Sequence, residues 1–144
     1  MNATRAHARV FSCGEDTRPE DIKARLAAAN PGSVVQTVGA GVIRNAVLAE
    51  MLAAQTFQAA SSDRLLAKRP EVDLLLRLAG TTQISKAIKE GGARVGEPFL
   101  LVVAGRSLVR GIPALKGKEL PRSKLTETEH ARIERAALLD AIRA

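Results

Sequence analysis

The chain has 144 residues, of which 46% are hydrophobic and 26% are charged, a composition typical of one globular domain. The longest apolar runs are too short to cross a bilayer and the first residues lack the apolar core of a secretory signal, so we expect a cytoplasmic protein without a membrane partner. The net charge of +7 favours a polyanionic partner, and the single cysteine, Cys13, excludes an internal disulfide.

Aromatic residues are scarce, since the chain has three phenylalanines and neither tryptophan nor tyrosine. RNA-binding domains of the RRM and OB classes stack bases on aromatic side chains, so we do not expect a member of those classes. The two histidines, His7 and His130, lie far apart, and the spacing of a zinc site is absent. No metal or cofactor is therefore expected. Cys13 is predicted to be a small buried residue of a strand rather than a nucleophile.

The first half of the chain predicts two strands, each followed by a helix. Residues 8–13 suit a short strand, and a Thr-x-x-Glu capping box at 17–20 opens a helix over 19–29. Residues 33–41 alternate enough to predict a second strand. The long helix predicted over 43–60 carries a wide apolar stripe, which indicates a place in the core.

The middle of the chain predicts two helices joined by a corner. Pro70 suits the first position of the first helix, whose leucines fall on more than one face. Gly80 suits a left-handed helix end, and Thr81 or Thr82 is expected to cap the second helix. The second helix has three apolar residues that are predicted to face inward: Ile84, Ala87 and Ile88.

The last third of the chain predicts one strand, a loop and a helix. The unbroken apolar run at 98–105 is typical of a central strand that is covered on both faces. Residues 106–125 predict a loop with a short edge strand at 107–110, and a second capping box at 126–129 opens the final helix. The fold class predicted for the single domain 1–144 is α+β, a small mixed β-sheet packed against several α-helices.

The sequence assembles no catalytic motif. A Walker-type phosphate loop needs a second glycine between Gly80 and Lys86, and the Rossmann pattern needs a glycine at the position of Arg44. We therefore predict a non-enzymatic protein. Two alternatives stay open: an enzyme with an anion site at the 39–45 turn or the 80–82 corner, and a helix–turn–helix DNA-binding module. The apolar second helix argues against the DNA-binding module, because a recognition helix needs polar residues that reach base edges.

Residues 66–96, LAKRPEVDLLLRLAGTTQISKAIKEGGARVG, carry a spaced motif around the predicted corner. Its elements follow an acidic residue, Glu71 or Asp73, and are Leu74, Leu75, Leu78, Ala79, Gly80, Gln83, Ile84, Ala87, Ile88 and a glycine at 91 or 92. In this spacing the chain resembles the small accessory subunit of the KEOPS complex, the family that includes the protein-kinase-binding protein TPRKB. The order of strands and helices around the motif is also similar to that family.

The resemblance implies a role in tRNA modification. The KEOPS complex installs the threonylcarbamoyl group on the adenosine beside the anticodon of tRNAs that read codons beginning with A. Its accessory subunit is not an enzyme, so the resemblance implies neither a cofactor nor a small-molecule substrate. It implies instead two partners, the kinase-like ATPase subunit of KEOPS and tRNA, including the single-stranded 3′ CCA end.

Two sets of residues are predicted to contact these partners. The favoured tRNA-binding residues lie within and just before the motif: Arg64, Lys68, Arg69, Arg77 and Lys86. Each of these cations could instead be an ordinary solvated side chain. The favoured interface with the kinase-like subunit lies on the last helix: Leu138, Leu139 and Ile142. The alternative is that all three belong to the core.

Overall fold

A computed structural model describes the backbone of residues 5–107 and 118–143, and the side chains of all of these except the last two. The described strands are β1 (His7–Cys13), β2 (Val34–Gly39) and β3 (Phe99–Gly105). The described helices are α1 (Pro19–Ala29), α2 (Ala46–Ser61), α3 (Pro70–Ala79), α4 (Ile84–Gly91) and α5 (Glu127–Arg143). Within these residues no helix is both long and apolar enough to cross a membrane.

The three strands form one sheet in the order β1-β3-β2, and both pairs are antiparallel. The α+β class is confirmed, but the prediction of a mixed sheet is wrong. Strand direction depends on the path of the connecting segments, and the side-chain pattern of a strand does not encode that path. β3 is the central strand and all its residues are buried, as its apolar run predicts.

The sheet separates two layers of helices. On one face Leu100, Val102 and Ala104 of β3 join the larger core, to which α2, α3 and α5 contribute. On the other face the alternate residues of β3 pack against Ile22 and Leu26 of α1. Cys13 lies in this smaller core, where burial raises the pKa of its thiol. A raised pKa leaves little thiolate at neutral pH, which agrees with the predicted structural role.

One of the two predicted capping boxes forms. At the start of α5 the backbone N–H of Thr126 donates to Glu129 Oε1 at 2.9 Å, and the N–H of Glu129 donates to Thr126 Oγ1 at 3.2 Å. The box predicted at 17–20 is wrong, because Pro19 takes the first position of α1 and moves the N-cap to Arg18. The threonine hydroxyl then lies one residue too early to cap this helix.

The outer edge of β1 is covered by the segment that precedes α5. Ser12 donates its N–H to the carbonyl of Lys118 at 2.9 Å, and Leu120 donates to the carbonyl of Val10 at 2.8 Å. An edge strand was predicted at 107–110, and residues 108–110 lie outside the described part of the chain. The covered edge leaves fewer backbone groups for another strand to pair with.

Candidate functional site

The corner between α3 and α4 has the geometry that the motif predicts. Gly80 adopts φ 71° and ψ 35°, the left-handed conformation that glycine reaches most easily. Its N–H donates to the carbonyl of Leu76 at 2.8 Å, and the Thr81 hydroxyl accepts from the N–H of Gln83 at 3.1 Å. The guanidinium of Arg135 lies over the corner, with Nε 3.2 Å from the place that a β-carbon on Gly80 would occupy.

A buried ion pair lies inside α3. Arg77 is only 2% exposed, and its Nε and Nη2 donate to the two carboxylate oxygens of Asp73 at 2.7 and 3.2 Å. Asp73 also accepts from the hydroxyl of Thr56 at 2.6 Å and from the N–H of Leu66 at 2.9 Å. Arg77 donates further to the carbonyl of Ala136 in α5 at 3.1 Å. The pair thus connects α2, α3, α5 and the loop before α3.

This position corrects the prediction that Arg77 binds tRNA. A guanidinium without access to solvent cannot reach a phosphate, and all its described bonds go to other parts of this chain. Asp73 lies one helical turn earlier on the same face, so the two charges are buried together. In the sequence, the pattern that could have predicted this burial is an Asp–Arg pair spaced four residues apart and flanked by leucines.

The other predicted tRNA-binding cations are exposed, but they do not form one cluster. Arg64, Lys68 and Arg69 lie in the loop before α3. The described ion pair in this loop is the loose contact of Arg69 with Glu71 at 3.5 Å. Lys86 lies on α4, beyond the other end of α3, a helix about 15 Å long at a rise of 1.5 Å per residue.

The exposure of α4 contradicts its predicted orientation. Ile84 and Ile88 are 48% and 56% exposed, and the residues of α4 that are buried are Ala87 and Gly91. A β-carbon on Gly91 would lie 3.5 Å from the β-carbon of Ala79, an ordinary van der Waals distance, so Gly91 faces α3. The small residues therefore take the inward face, and the isoleucines form an exposed apolar strip.

The last helix divides its leucines between the core and the surface. Leu139 is 2% exposed and belongs to the larger core, so it is not an interface anchor. Leu138 is 61% exposed, as an interface residue must be. The side chain of Ile142 lies outside the described residues. The sequence places Leu138 and Leu139 on neighbouring faces of the helix, and the packing against α2 and α3 buries only Leu139.

A groove of about 390 Å³ runs beside this helix, between α5 and α2. Met51 and Ala54 of α2 and Ala137 of α5 give it an apolar floor. Asp140 lines one wall, and its Oδ1 is buried without a hydrogen-bond partner at 3.6 Å from Nη2 of Arg77. The groove therefore combines apolar surface with charged side chains of both signs, since Arg64 and Arg77 line it together with Asp140.

The described residues hold no group of three or more histidine, cysteine, aspartate or glutamate side chains placed to bind a metal ion. The apolar strip on α4 and the groove between α2 and α5 are surface features, and neither brings a nucleophile to a base. The described surface therefore has apolar area and positive charge with which it can contact a partner.

No family model matches the chain. The chain is 38% identical over 112 residues to the KEOPS complex subunit Cgi121 of Pyrococcus abyssi. The aligned part is 74% of this chain, and the chain spans 64% of the length of that relative. The similarity extends well beyond residues 66–96 and supports the resemblance that these residues carry.

Proposed function

We propose that this chain is an accessory subunit of a KEOPS complex and acts there without catalytic groups of its own, in tRNA threonylcarbamoyladenosine modification. The observation that carries the proposal is the 38% identity over 112 residues to a protein described as a KEOPS complex subunit. The spaced motif of residues 66–96 is part of this similarity, and its corner at Gly80 has the left-handed conformation that the motif predicts.

The proposed contact with the kinase-like ATPase subunit uses the outer side of α5. Leu138 is a large apolar side chain in solvent, and the groove between α2 and α5 lies beside the same helix. Interface residues that contribute most to binding lie in well-packed, desolvated pockets, and Leu138 beside the groove can become buried in this way when a partner covers it.

The proposed contact with tRNA uses exposed cations and the apolar strip of α4. Arg64, Lys68 and Arg69 supply positive charge from the loop before α3, and Lys86 supplies it from α4. Unpaired bases expose apolar faces, and α4 carries the exposed Ile84 and Ile88 as well as the exposed cations Lys86 and Lys89. This arrangement suits a single-stranded RNA end in a chain that lacks aromatic platforms.

Affinity purification from the native cells, with and without ribonuclease, tests the proposal. We expect the kinase-like ATPase subunit to copurify in both cases, and tRNA to copurify only when ribonuclease is omitted. Retention of the kinase-like subunit after ribonuclease treatment indicates direct protein contact rather than bridging by RNA. Absence of every KEOPS subunit from both samples would refute the proposed assembly.

A surface variant tests the protein contact within the same experiment. Leu138→Glu places a charge at the proposed interface and leaves the core intact, so we expect loss of the kinase-like subunit with an unchanged melting temperature. Glu134→Ala is the control, because Glu134 is an exposed residue one turn earlier on the same helix. Equal capture by Leu138→Glu and the control contradicts the proposed interface.

A further inference from the structure

A cleft of about 480 Å³ lies between the start of α2 and the start of α5. Asn45 joins its two sides, since its side-chain Nδ2 donates to the carbonyl of Ser123 at 2.9 Å and its Oδ1 accepts from the N–H of Ser123 at 3.1 Å. The residues next to these two, Arg44 and Lys124, are both exposed and both line the cleft. A buried amide thus places two cations from distant parts of the sequence at one opening.

A third cation, Arg132, forms the inner wall of this cleft. Its Nη1 donates to the carbonyl of Val42 at 2.8 Å and its Nη2 donates to the carbonyl of Leu78 at 2.9 Å. Both acceptors are neutral, and no described carboxylate lies within 4.0 Å of the guanidinium, whereas the buried guanidinium of Arg77 has Asp73. Burial lowers the pKa of Arg132, and the charge of Glu129 offsets part of this effect by raising it.

The negative charge in the cleft is small and already engaged. Glu129 is the carboxylate among the described lining residues, and the backbone N–H of Thr126 lowers its pKa by donating to it. Arg44 and Lys124 have no ion-pair partner among the described residues. Three cations therefore face one carboxylate, and the cleft carries an excess positive charge.

Side chains are the main donors that an anion would meet here. One early amide of each helix is already bonded, because Asn45 Oδ1 accepts from the N–H of Val47 and the Thr126 hydroxyl accepts from the N–H of Glu129. The hydroxyls of Ser123 and Thr128 also line the cleft and can donate to an oxyanion. The excess positive charge attracts the oxyanion of a phosphodiester and of a free phosphate alike.

We propose that the cleft of Arg44, Lys124 and Arg132 binds a phosphate group, which the backbone of an RNA strand or a free phosphate compound can supply. In its RNA form the inference rests on the proposed function. The cleft is separate from the loop of Arg64, Lys68 and Arg69. It lies beside the corner, because Arg132 bonds both the 39–45 turn and the last turn of α3.

Measuring tRNA binding by the double variant R44A/K124A across a range of salt concentrations tests the proposal. Arg132 is kept, because it holds two backbone carbonyls and its loss would disturb the fold. Removing two phosphate contacts should lower the slope of log affinity against log salt by about 1.4, at 0.7 per contact with single-stranded RNA. If the electrostatic contribution vanishes at 1 M salt, the tRNA affinity of the double variant at 0.1 M salt should be roughly 25-fold lower than that of the unmodified chain.

The matched control is R18A/R25A, which removes the same charge from α1 and its N-cap, on the opposite face of the sheet. The control should keep the slope of the unmodified chain, and both double variants should keep its melting temperature. Equal losses of affinity in the two variants, or no loss in R44A/K124A, overturn the assignment to RNA.

Titration with inorganic phosphate, followed by backbone amide NMR, separates the sources of the phosphate group. Saturable shifts at 41–45 and 123–129 that vanish in R44A/K124A, together with unchanged tRNA affinity, assign the cleft to a free phosphate compound. Absence of both these shifts and the tRNA effect overturns the phosphate site. If the unmodified chain does not bind tRNA at all, the proposed tRNA function fails, and the phosphate titration still decides the cleft.

Discussion

The two helices on either side of Gly80 distribute their side chains in opposite ways. α3 buries a complete ion pair, Asp73 and Arg77, whereas α4 exposes two isoleucines, Ile84 and Ile88. Among the described elements α3 contacts α2, α4, α5 and β2, while α4 contacts α3 and β2 only. The number of surrounding elements, rather than the type of side chain, therefore decides what is buried in each helix.

The difference separates structural from functional residues in the motif. Charges that are buried in α3 have all their bonds within the chain and stabilise the packing of three helices. Apolar side chains that remain exposed on α4 do not contribute to that core and are available to a partner. The motif thus contains both the joint of the fold and a candidate contact surface.

The largest expected effect comes from breaking the buried pair in α3. Arg77→Ala leaves the carboxylate of Asp73 buried without its charge partner, so we expect a loss of about 3–5 kcal/mol in the free energy of unfolding. Urea denaturation followed by circular dichroism measures this loss. Arg69→Ala is the control, because the pair of Arg69 with Glu71 is exposed and should contribute less than about 1 kcal/mol. Similar losses in both variants contradict the distinction between α3 and the surface.

Much of this architecture could be predicted from the sequence. The central strand at 98–105, the Gly80 corner and the capping box at 126–129 each depend on local chemistry, and the structure has all three. The directions of the strands could not be predicted, because they follow from connections that the side-chain pattern does not describe.

The errors at the candidate site have one physical origin. Periodicity identifies the apolar stripe of a helix, but it does not say how many neighbours the helix has. The periodicity therefore predicted an exposed Arg77 and a buried Ile84. In the structure α3 packs against four other elements and buries Arg77, whereas α4 packs against two and leaves Ile84 exposed. The cleft of Arg44, Lys124 and Arg132 has no sequence signal at all, because Asn45 and Ser123 bring its residues together across 78 positions.

The next largest effect extends the comparison to α5, where two adjacent leucines differ in the same way. Leu139→Ala removes a buried side chain from the larger core, so we expect a loss of about 2–5 kcal/mol in the free energy of unfolding. Leu138→Ala changes an exposed side chain and should stay within about 0.5 kcal/mol of the unmodified chain. Denaturation of the two variants side by side measures the difference, and equal losses would place Leu138 in the core.

A smaller loss of stability is expected at the Gly80 corner. Gly80→Ala puts a β-carbon on a residue with φ 71°, which should lower the free energy of unfolding by about 1–2 kcal/mol. The long side chain of Arg135 can move aside, so backbone strain accounts for most of this loss. Gly41→Ala is the control, since its φ is not positive and no other atom lies near the added carbon. A Gly80 variant as stable as the control would show that the corner tolerates an ordinary residue.

The smallest expected effect on stability lies on α4, where the effect on binding should be largest. Ile84→Glu with Ile88→Glu changes two exposed side chains, so we expect the free energy of unfolding to change by no more than about 0.5 kcal/mol per site. The same variant should lose affinity for the RNA end, because the charges repel phosphates and the apolar contact with bases is removed. Thermal unfolding and tRNA binding by fluorescence anisotropy measure the two quantities on one sample.

Ala87→Glu is the matched control on the same helix, because it places the same charge on the buried side of α4. It should unfold or strongly destabilise the chain, since an unpaired carboxylate would enter the core. If the double isoleucine variant also unfolds, α4 is packed on both sides and its contrast with α3 is lost. If that variant stays folded and binds tRNA with unchanged affinity, α4 is exposed as described, but its isoleucines do not contact RNA. A protein partner is then the remaining ligand for this apolar strip.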